Sequence, residues 1–259
     1  MLLAVDIGNT NITVGVFEGE IPGPRLRFAS NPGGTADEYG LAMLDSFSRA
    51  GIAAADIQEI AIGSVVPSLT QIVTEACVNY LGRLPFVVDV TMKTGLHSLY
   101  DHPQQLGIDR IVDATAAYKL YGAPACVIDF GTATTFDAVS IDGRYLGGVI
   151  APGIGIAAEE LFQRTAKLPR VDFYTHPTSV IGRNVRQSLH SGLLYGYVGL
   201  TEGLIARFRT ELGPDMKVVA TGGLAEIIAK ETAAIDILAP WLMLDGLRII
   251  FHMNRDPAL

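Results

Sequence analysis

Residues 1–17 read MLLAVDIGNTNITVGVF: four apolar residues run into Asp6, the chain bends at Gly8 through a row of Asn and Thr, and apolar residues return. A hydrophobic strand that ends on an aspartate and turns at a glycine presents backbone N–H groups beside small hydroxyl and amide side chains, which suits phosphate oxygens. Gly and Asn are also ordinary turn residues, so this stretch alone leaves a plain β-hairpin open. Residues 125–140, ACVIDFGTATTFDAVS, bring the pattern back as an apolar strand, Asp129, one apolar residue, Gly131, then Thr132, Thr134 and Thr135. One shift of 123 residues, close to half of the 259, lays Asp6 on Asp129 and Gly8 on Gly131. A repeat at that period points to two related halves. A turn that only reverses the chain has no reason to recur there, whereas two phosphate loops facing each other across a cleft do.

Between the two motifs, strands alternate with helices. Residues 35–51 read as a helix opened by a Thr35/Glu38 capping box, carrying Leu41, Leu44 and Phe47 at helical spacing and stopped by Gly51. A buried strand EIAIGSVV, a helix with Leu69, Val73, Cys77 and Tyr80 on one face, and a short strand PFVVDV follow. Residues 91–110 form a polar loop too long for an idle connection, leading into the helical IVDATAAYKLYG. The second half continues through strand YLGGVIAPG, a helix IAAEELFQRTA from Ile156, a long helix over 184–212, strand MKVVATGG, a short helix from Leu224, strand IDILAP and a last helix from Trp241. The expected fold is therefore α/β, with mixed sheets flanked by helices. The expected domains are 1–120 and 121–259. Gly222 and Gly223, delivered by a strand, either let a flat nucleotide base approach or simply make a tight βα turn.

Composition removes several function classes. Hydrophobic residues make up 49% and charged ones 18%, yet no apolar run is long enough to span a bilayer, and MLLAVDIG lacks the basic start of a secretory signal. A soluble, cytoplasmic protein without a membrane partner is expected. The net charge of −8, with no basic cluster, argues against a nucleic-acid surface. Cys77 and Cys126 both lie in apolar segments, as buried thiols in a reducing compartment do. The five histidines share no ligand spacing, so zinc is not expected.

DIGNTNITVGVF, TADEYG, SVVPSL, KTGL, YDHPQQLGIDRIVDATAAY, VIDFGTATTFD, YLGGVIAPGI, RTAKLP and ATGGLA follow one another in this order. The two loops and the late TGG resemble the superfamily of actin, the Hsp70 ATPase domain and the sugar kinases. Within it, the whole series is similar to the type III pantothenate kinases over practically the entire chain. The resemblance implies duplicated actin-like (ribonuclease H-like) ATPase domains with a cleft between the halves. It implies ATP-dependent phosphorylation of the primary hydroxyl of pantothenate to 4′-phosphopantothenate, the first step of coenzyme A synthesis.

The same resemblance implies the roles of individual residues. Asp6 holds Mg²⁺, through water, since that ion keeps much of its hydration shell; Gly8, Asn9, Thr10 and Asn11 cradle the β and γ phosphates of ATP, and Ile7, Ile12 and Thr13 belong to the same cofactor-binding stretch. Asp129 binds a monovalent cation, potassium or ammonium, which lets so acidic a chain hold ATP. Thr132 touches the nucleotide phosphates, and Gly222 and Gly223 border the adenosine. Asp109 is the general base for the attacking alcohol; read from the residues alone, Asp109 and Arg110 could equally be an ion pair or a helix cap. Tyr100, Gly107, Ile108, Asp109 and Arg110 contact pantothenate, with Arg110 offering a planar fork of donors. Lys93 is as readily structural as catalytic.

The chain departs from the family pattern at Val185, where a threonine is common, at Ile108, where alanine is, and at His102, where asparagine is. Another small-molecule kinase of the superfamily, or a nucleotide-binding regulatory homologue without turnover, remains the alternative; Asp6, Asp109 and Asp129 are all present, which disfavours the second. The resemblance also implies a homodimer whose substrate site takes Val185 from the partner. The stretch 189–208 offers support, with Leu194, Tyr195, Tyr197, Val198, Leu200, Leu204 and Ile205 around most of a helix, and Gly192, Gly196 and Gly199 allowing close approach. Burial of this helix within its own domain is the other reading.

Overall fold

The structure, a computed structural model, describes residues 1–171 and 176–255. Strands β1 (Leu2–Ile7), β2 (Asn11–Glu18) and β3 (Ile21–Ala29) form an antiparallel meander. Helix α1 (Ala36–Arg49) follows, then β4 (Glu59–Ser64) parallel to β1, helix α2 (Pro67–Ala76) with a π-helical turn (Cys77–Leu81), and β5 (Phe86–Val87), in sheet order β3-β2-β1-β4-β5. The capping box is formed: the Glu38 N–H donates to Thr35 Oγ1 at 3.2 Å and the Thr35 N–H to Glu38 Oε2 at 2.8 Å. Pro67 begins α2, where its missing N–H costs nothing. Tyr39, Met43 and Phe47 of α1 and Leu69 and Val73 of α2 pack with Leu3, Val5 and Ile7 of β1 in one core. Side chains alternate along a strand, so Asp6 belongs to the opposite face of the sheet.

The second sheet has the order β11-β10-β7-β8-β9-β6. Its strands are β6 (His97–Ser98), β7 (Ala125–Phe130), β8 (Ala133–Val139), β9 (Arg144–Pro152), β10 (Lys217–Thr221) and β11 (Ile237–Leu238). Helix α3 (Ile108–Tyr121) precedes β7, while α4 (Ile154–Gln163), α5 (Val185–Leu212) and α6 (Ala225–Ala229) come later. Cys126, Ile128 and Phe130 of β7 pack with Leu194, Val198 and Ile205 of α5, so Asp129 in turn lies on the face away from that core. The shift of 123 carries β1 onto β7 residue for residue, and in both sheets this strand pairs antiparallel with the next strand and parallel with a later one.

The last helix, α7 (Leu242–Arg255), belongs with the first sheet. A Cβ on Gly15 would lie 2.7 Å from Leu244 Cδ1, one on Gly63 2.7 Å from Met243 Cε, and one on Gly246 2.5 Å from the Val112 carbonyl oxygen. Glycines thus let α7 settle against β2, β4 and α3. Asn254 ties it down further, accepting from the Lys93 N–H at 3.1 Å and donating to the Lys93 carbonyl at 2.9 Å. The two compact units are therefore 1–96 with 101–116 and 242–255, and 97–100 with 117–241. They differ from a single cut at 120/121 because the amphipathic α7 buries Leu244, Leu247, Ile250 and Phe251 on the first unit. Several predicted strands are also shorter, PFVVDV reducing to two residues and IDILAP to two, whereas the third strand of the meander is longer than RLRFAS.

Candidate active site

Both aspartate loops are hairpin connections, an arrangement open to either reading of them. In the first, Asp6 stands opposite Thr13 and Ile7 opposite Ile12, which leaves residues 8–11 as the turn. The Gly8 N–H donates to the Asn11 carbonyl at 3.0 Å, closing the turn on itself. Ser30, at the end of the meander, holds the loop from outside: its Oγ donates to the Gly8 carbonyl at 2.6 Å and its N–H to the Thr10 carbonyl at 3.0 Å. Asn9, Thr10 and Asn11 are exposed, while Ile7 and Ile12 are sealed in the core. Those two isoleucines can offer a ligand their backbone only, and Thr13 is buried next to them.

The second turn, residues 131–133, is one residue shorter, since Phe130 already pairs with Thr134. Asp129 stands opposite Thr135 on one side and Thr221 on the other. A Cβ on Gly222 would sit 2.3 Å from Asp129 Oδ1, and one on Gly131 3.1 Å from Asp129 Oδ2. Gly222 also has φ of +91°, so conformation and space both demand glycine there. Asp129, Gly131 and Gly222 are thereby brought together as a close-fitting carboxylate seat. Gly223 is open, with no atom within 4 Å of where its Cβ would be. Gly153 is a residue that sequence reasoning missed: its Cβ would fall 2.2 Å from the Thr132 carbonyl oxygen, so the start of α4 presses on the second loop. The only sequence signal for it was the conspicuous Pro-Gly in YLGGVIAPGI.

Asp109 and Arg110 lie in the first turn of α3, not on a loop, and Ile108 is a buried helix residue. The Arg110 N–H donates to Asp109 Oδ1 at 2.9 Å, so the carboxylate folds back over the helix start. A Cβ on Gly107 would lie 2.4 Å from that same oxygen, which explains the glycine of GIDR. Burial pushes the Asp109 carboxyl above its ordinary value, against the pull of the Arg110 N–H and the Arg110 charge. A partly buried carboxylate with a raised pKa at a helix start is equipped to receive a proton. Arg110 itself is 7% exposed.

Tyr100 is in the other unit, its ring packed 6.2 Å from that of Tyr145 at an angle of 54°. Val185, half exposed, is the first residue of α5, whose cap is Asn184 accepting from the Gln187 N–H at 3.0 Å. The expected substrate residues thus divide, Gly107, Ile108, Asp109 and Arg110 in the first unit and Tyr100 and Val185 in the second. Along α5, Leu194, Val198 and Ile205 face its own core, while Gly192, Gly196 and Gly199 are exposed with nothing near their absent Cβ atoms.

Burial pushes the Cys77 thiol up to about 12 and raises that of Cys126 as well, with the Asp137 charge adding to it. Both are inert packing residues. Among the described residues, no group of three or more His, Cys, Asp and Glu side chains is placed to hold a metal ion, and no helix is long and apolar enough to cross a membrane.

A model of the type III pantothenate kinase family matches residues 2–207. A type III pantothenate kinase from Moorella thermoacetica is 48% identical over 254 residues, covering 98% of this chain and 100% of its own. One from Myxococcus xanthus is 47% identical over 255 residues, with 98% and 99% covered. In fold alone, the chain resembles a protein of Sinorhizobium meliloti described as a 2-dehydro-3-deoxygalactonokinase (TM-score 0.60, 12% identity, 100% and 98% covered). It also resembles one of Campylobacter jejuni described as a Baf family transcriptional activator (TM-score 0.58, 19% identity, 97% of each covered). The mixed-sheet α/β architecture is shared with both of these structures. With near-half identity maintained from end to end, the chain belongs to the type III pantothenate kinase family.

Proposed function

We propose that this protein transfers the γ-phosphoryl group of ATP to the primary hydroxyl of pantothenate, giving 4′-phosphopantothenate for coenzyme A synthesis in the cytoplasm. The observation that carries the reading is the family match together with three intact aspartates, each in a defined local setting. Phosphoryl transfer requires in-line positioning, neutralisation of phosphate charge and removal of the nucleophile's proton. The turn 8–11, held by Ser30, supports contact with the β and γ phosphates, and Thr132 contact with a nucleotide phosphate. Gly223, being open, supports a base lying against the backbone. Asp109 takes the hydroxyl proton, and Arg110 and Tyr100 hold pantothenate.

Two ions complete this reading. Asp6 would hold Mg²⁺, in keeping with an ion that retains much of its hydration and so needs few protein ligands, and the ion would supply neutralisation of phosphate charge. Asp129, its oxygens lodged between Gly131 and Gly222, offers hard oxygen donors suited to potassium or ammonium. A homodimer in which Val185 approaches the partner's substrate site is part of the proposal and is supported by the exposed glycine face of α5.

A coupled assay of ADP release, with and without pantothenate and in potassium or sodium, tests the reading. ADP release that requires pantothenate, with a phosphorylated pantothenate detected by mass, is expected in potassium. ATP turnover indifferent to pantothenate, with no phosphorylated product, overturns it.

A further inference from the structure

Asp137 is a buried carboxylate with no place in the proposed chemistry. It is 2% exposed on β8, flanked by the apolar Phe136, Ala138 and Val139. Its Oδ1 accepts the Tyr145 hydroxyl at 2.6 Å, and Tyr145 is fully buried. Burying a carboxylate costs stability, and an apolar pair of similar volume is commonly at least as stable. A buried, charge-assisted hydrogen bond does something an apolar pair cannot: it fixes the tip of the ring in one place.

What rests on that ring is Tyr100, already assigned to pantothenate. The Tyr145 ring packs against the Tyr100 ring, while the Tyr145 carbonyl accepts the Leu99 N–H at 2.9 Å. His97 and Ser98 pair with Arg144 and Tyr145 as parallel strands, so side chain and backbone of Tyr145 hold the same four-residue segment. On the next turn of contact, Gly147 has φ of +107°, and a Cβ there would lie 3.5 Å from Tyr100 Cδ2. The Tyr100 ring therefore sits against β9, on the ring whose hydroxyl is bonded to Asp137.

We infer that Asp137 and Tyr145 are positioning residues for the acceptor substrate: through the Tyr145 ring they orient Tyr100, and they govern pantothenate affinity without touching pantothenate. The inference rests on the reading that Tyr100 contacts pantothenate. Steady-state kinetics of the full chain with Tyr145→Phe, Tyr100→Ala and the double variant test it. Tyr145→Phe keeps the ring and loses one hydrogen bond, so the KM for pantothenate should rise about fivefold, with kcat and the KM for ATP held within about twofold. If the hydroxyl acts through Tyr100, the double variant should have the pantothenate KM of Tyr100→Ala alone, a non-additivity that a merely structural bond does not produce.

A pantothenate KM unchanged in Tyr145→Phe but raised in Tyr100→Ala overturns the positioning role and leaves the Tyr100 contact standing. A pantothenate KM unchanged in Tyr100→Ala overturns that contact and the inference built on it. Additive effects in the double variant, or equal losses in both KM values and kcat, also overturn it. Should Tyr145→Phe fail to fold, Asp137→Asn, which keeps an acceptor oxygen but loses the charge, is read in its place. The expected rise in pantothenate KM is then about two- to threefold, and no rise overturns the inference.

Discussion

Asp109 is held by opposing influences whose balance has consequences for both stability and rate. Burial raises its pKa, and the Arg110 N–H and charge only partly offset this. Between the ordinary carboxylate value and the raised folded value, the folded chain keeps a proton that the unfolded chain has released. Stability therefore falls as pH climbs through that window, and the loss is complete above the folded pKa. Asp109→Asn removes the penalty, so at neutral pH the variant should melt at a higher temperature than the parent while losing on the order of 100-fold or more in kcat, as an amide cannot accept the proton. The parent's kcat should fall as pH drops through the same raised value. A variant with near-parent kcat, or an acid limb at the ordinary carboxylate pKa, would show that Asp109 is not the base. The sequence made Asp109 legible through GIDR, but the reason for its glycine was not. Only the fold-back of the carboxylate onto the start of α3 explains why a Cβ at Gly107 has no room. For the same reason Ile108 reads as a loop residue in sequence and is a buried helix residue in fact, because nothing in the polar run before it marks where the helix begins.

At the scale of elements, the strands and helices with a strong period were legible and those fixed by tertiary contact were not. The capping box, the proline at the start of α2 and the paired hairpins follow from local chemistry. The two-residue strands β5, β6 and β11 exist only because a neighbour is there to pair with, so the apolar runs around β5 and β11 overstate them, while β6 lies in a stretch that reads as polar loop. Helix α7 is the most telling case. Its amphipathic pattern announces a helix, yet its partner is chosen by glycines far away in sequence, Gly15 and Gly63, and by its own Gly246 against Val112. Backbone cannot retreat as a flexible side chain can, so Gly246→Ala should force α7 away from α3 and cost roughly 1–3 kcal/mol. Thermal or urea unfolding measures this directly. A loss below a few tenths of a kcal/mol would mean that α7 does not need this approach.

For the whole molecule, the open question is what covers the exposed face of α5. Gly192, Gly196 and Gly199 recur on one side of a 28-residue helix, and among the described residues no atom from outside their own stretch of helix lies within 4 Å of where a Cβ would stand. Three glycines in a helix interior cost about 1 kcal/mol each relative to alanine. Packing among the described residues does not account for them. A second copy of the same helix would, since small residues let two backbones approach, and an isologous dimer places the same surface on both sides. Under that reading Val185, at the start of the helix, reaches the partner's substrate residues, and each active site needs both chains. Chains carrying Asp109→Asn and chains carrying Val185→Trp should each be inactive alone. Mixed in equal amounts and allowed to exchange, half of the dimers are hybrids with one intact site of two, so roughly a quarter of parent activity should return. Gly196→Arg, placed on the same face, should give monomers by light scattering and abolish this rescue. A fully active monomer at working concentration, or no recovery from exchanged mixtures, would sink the shared site while leaving the kinase chemistry within the chain intact.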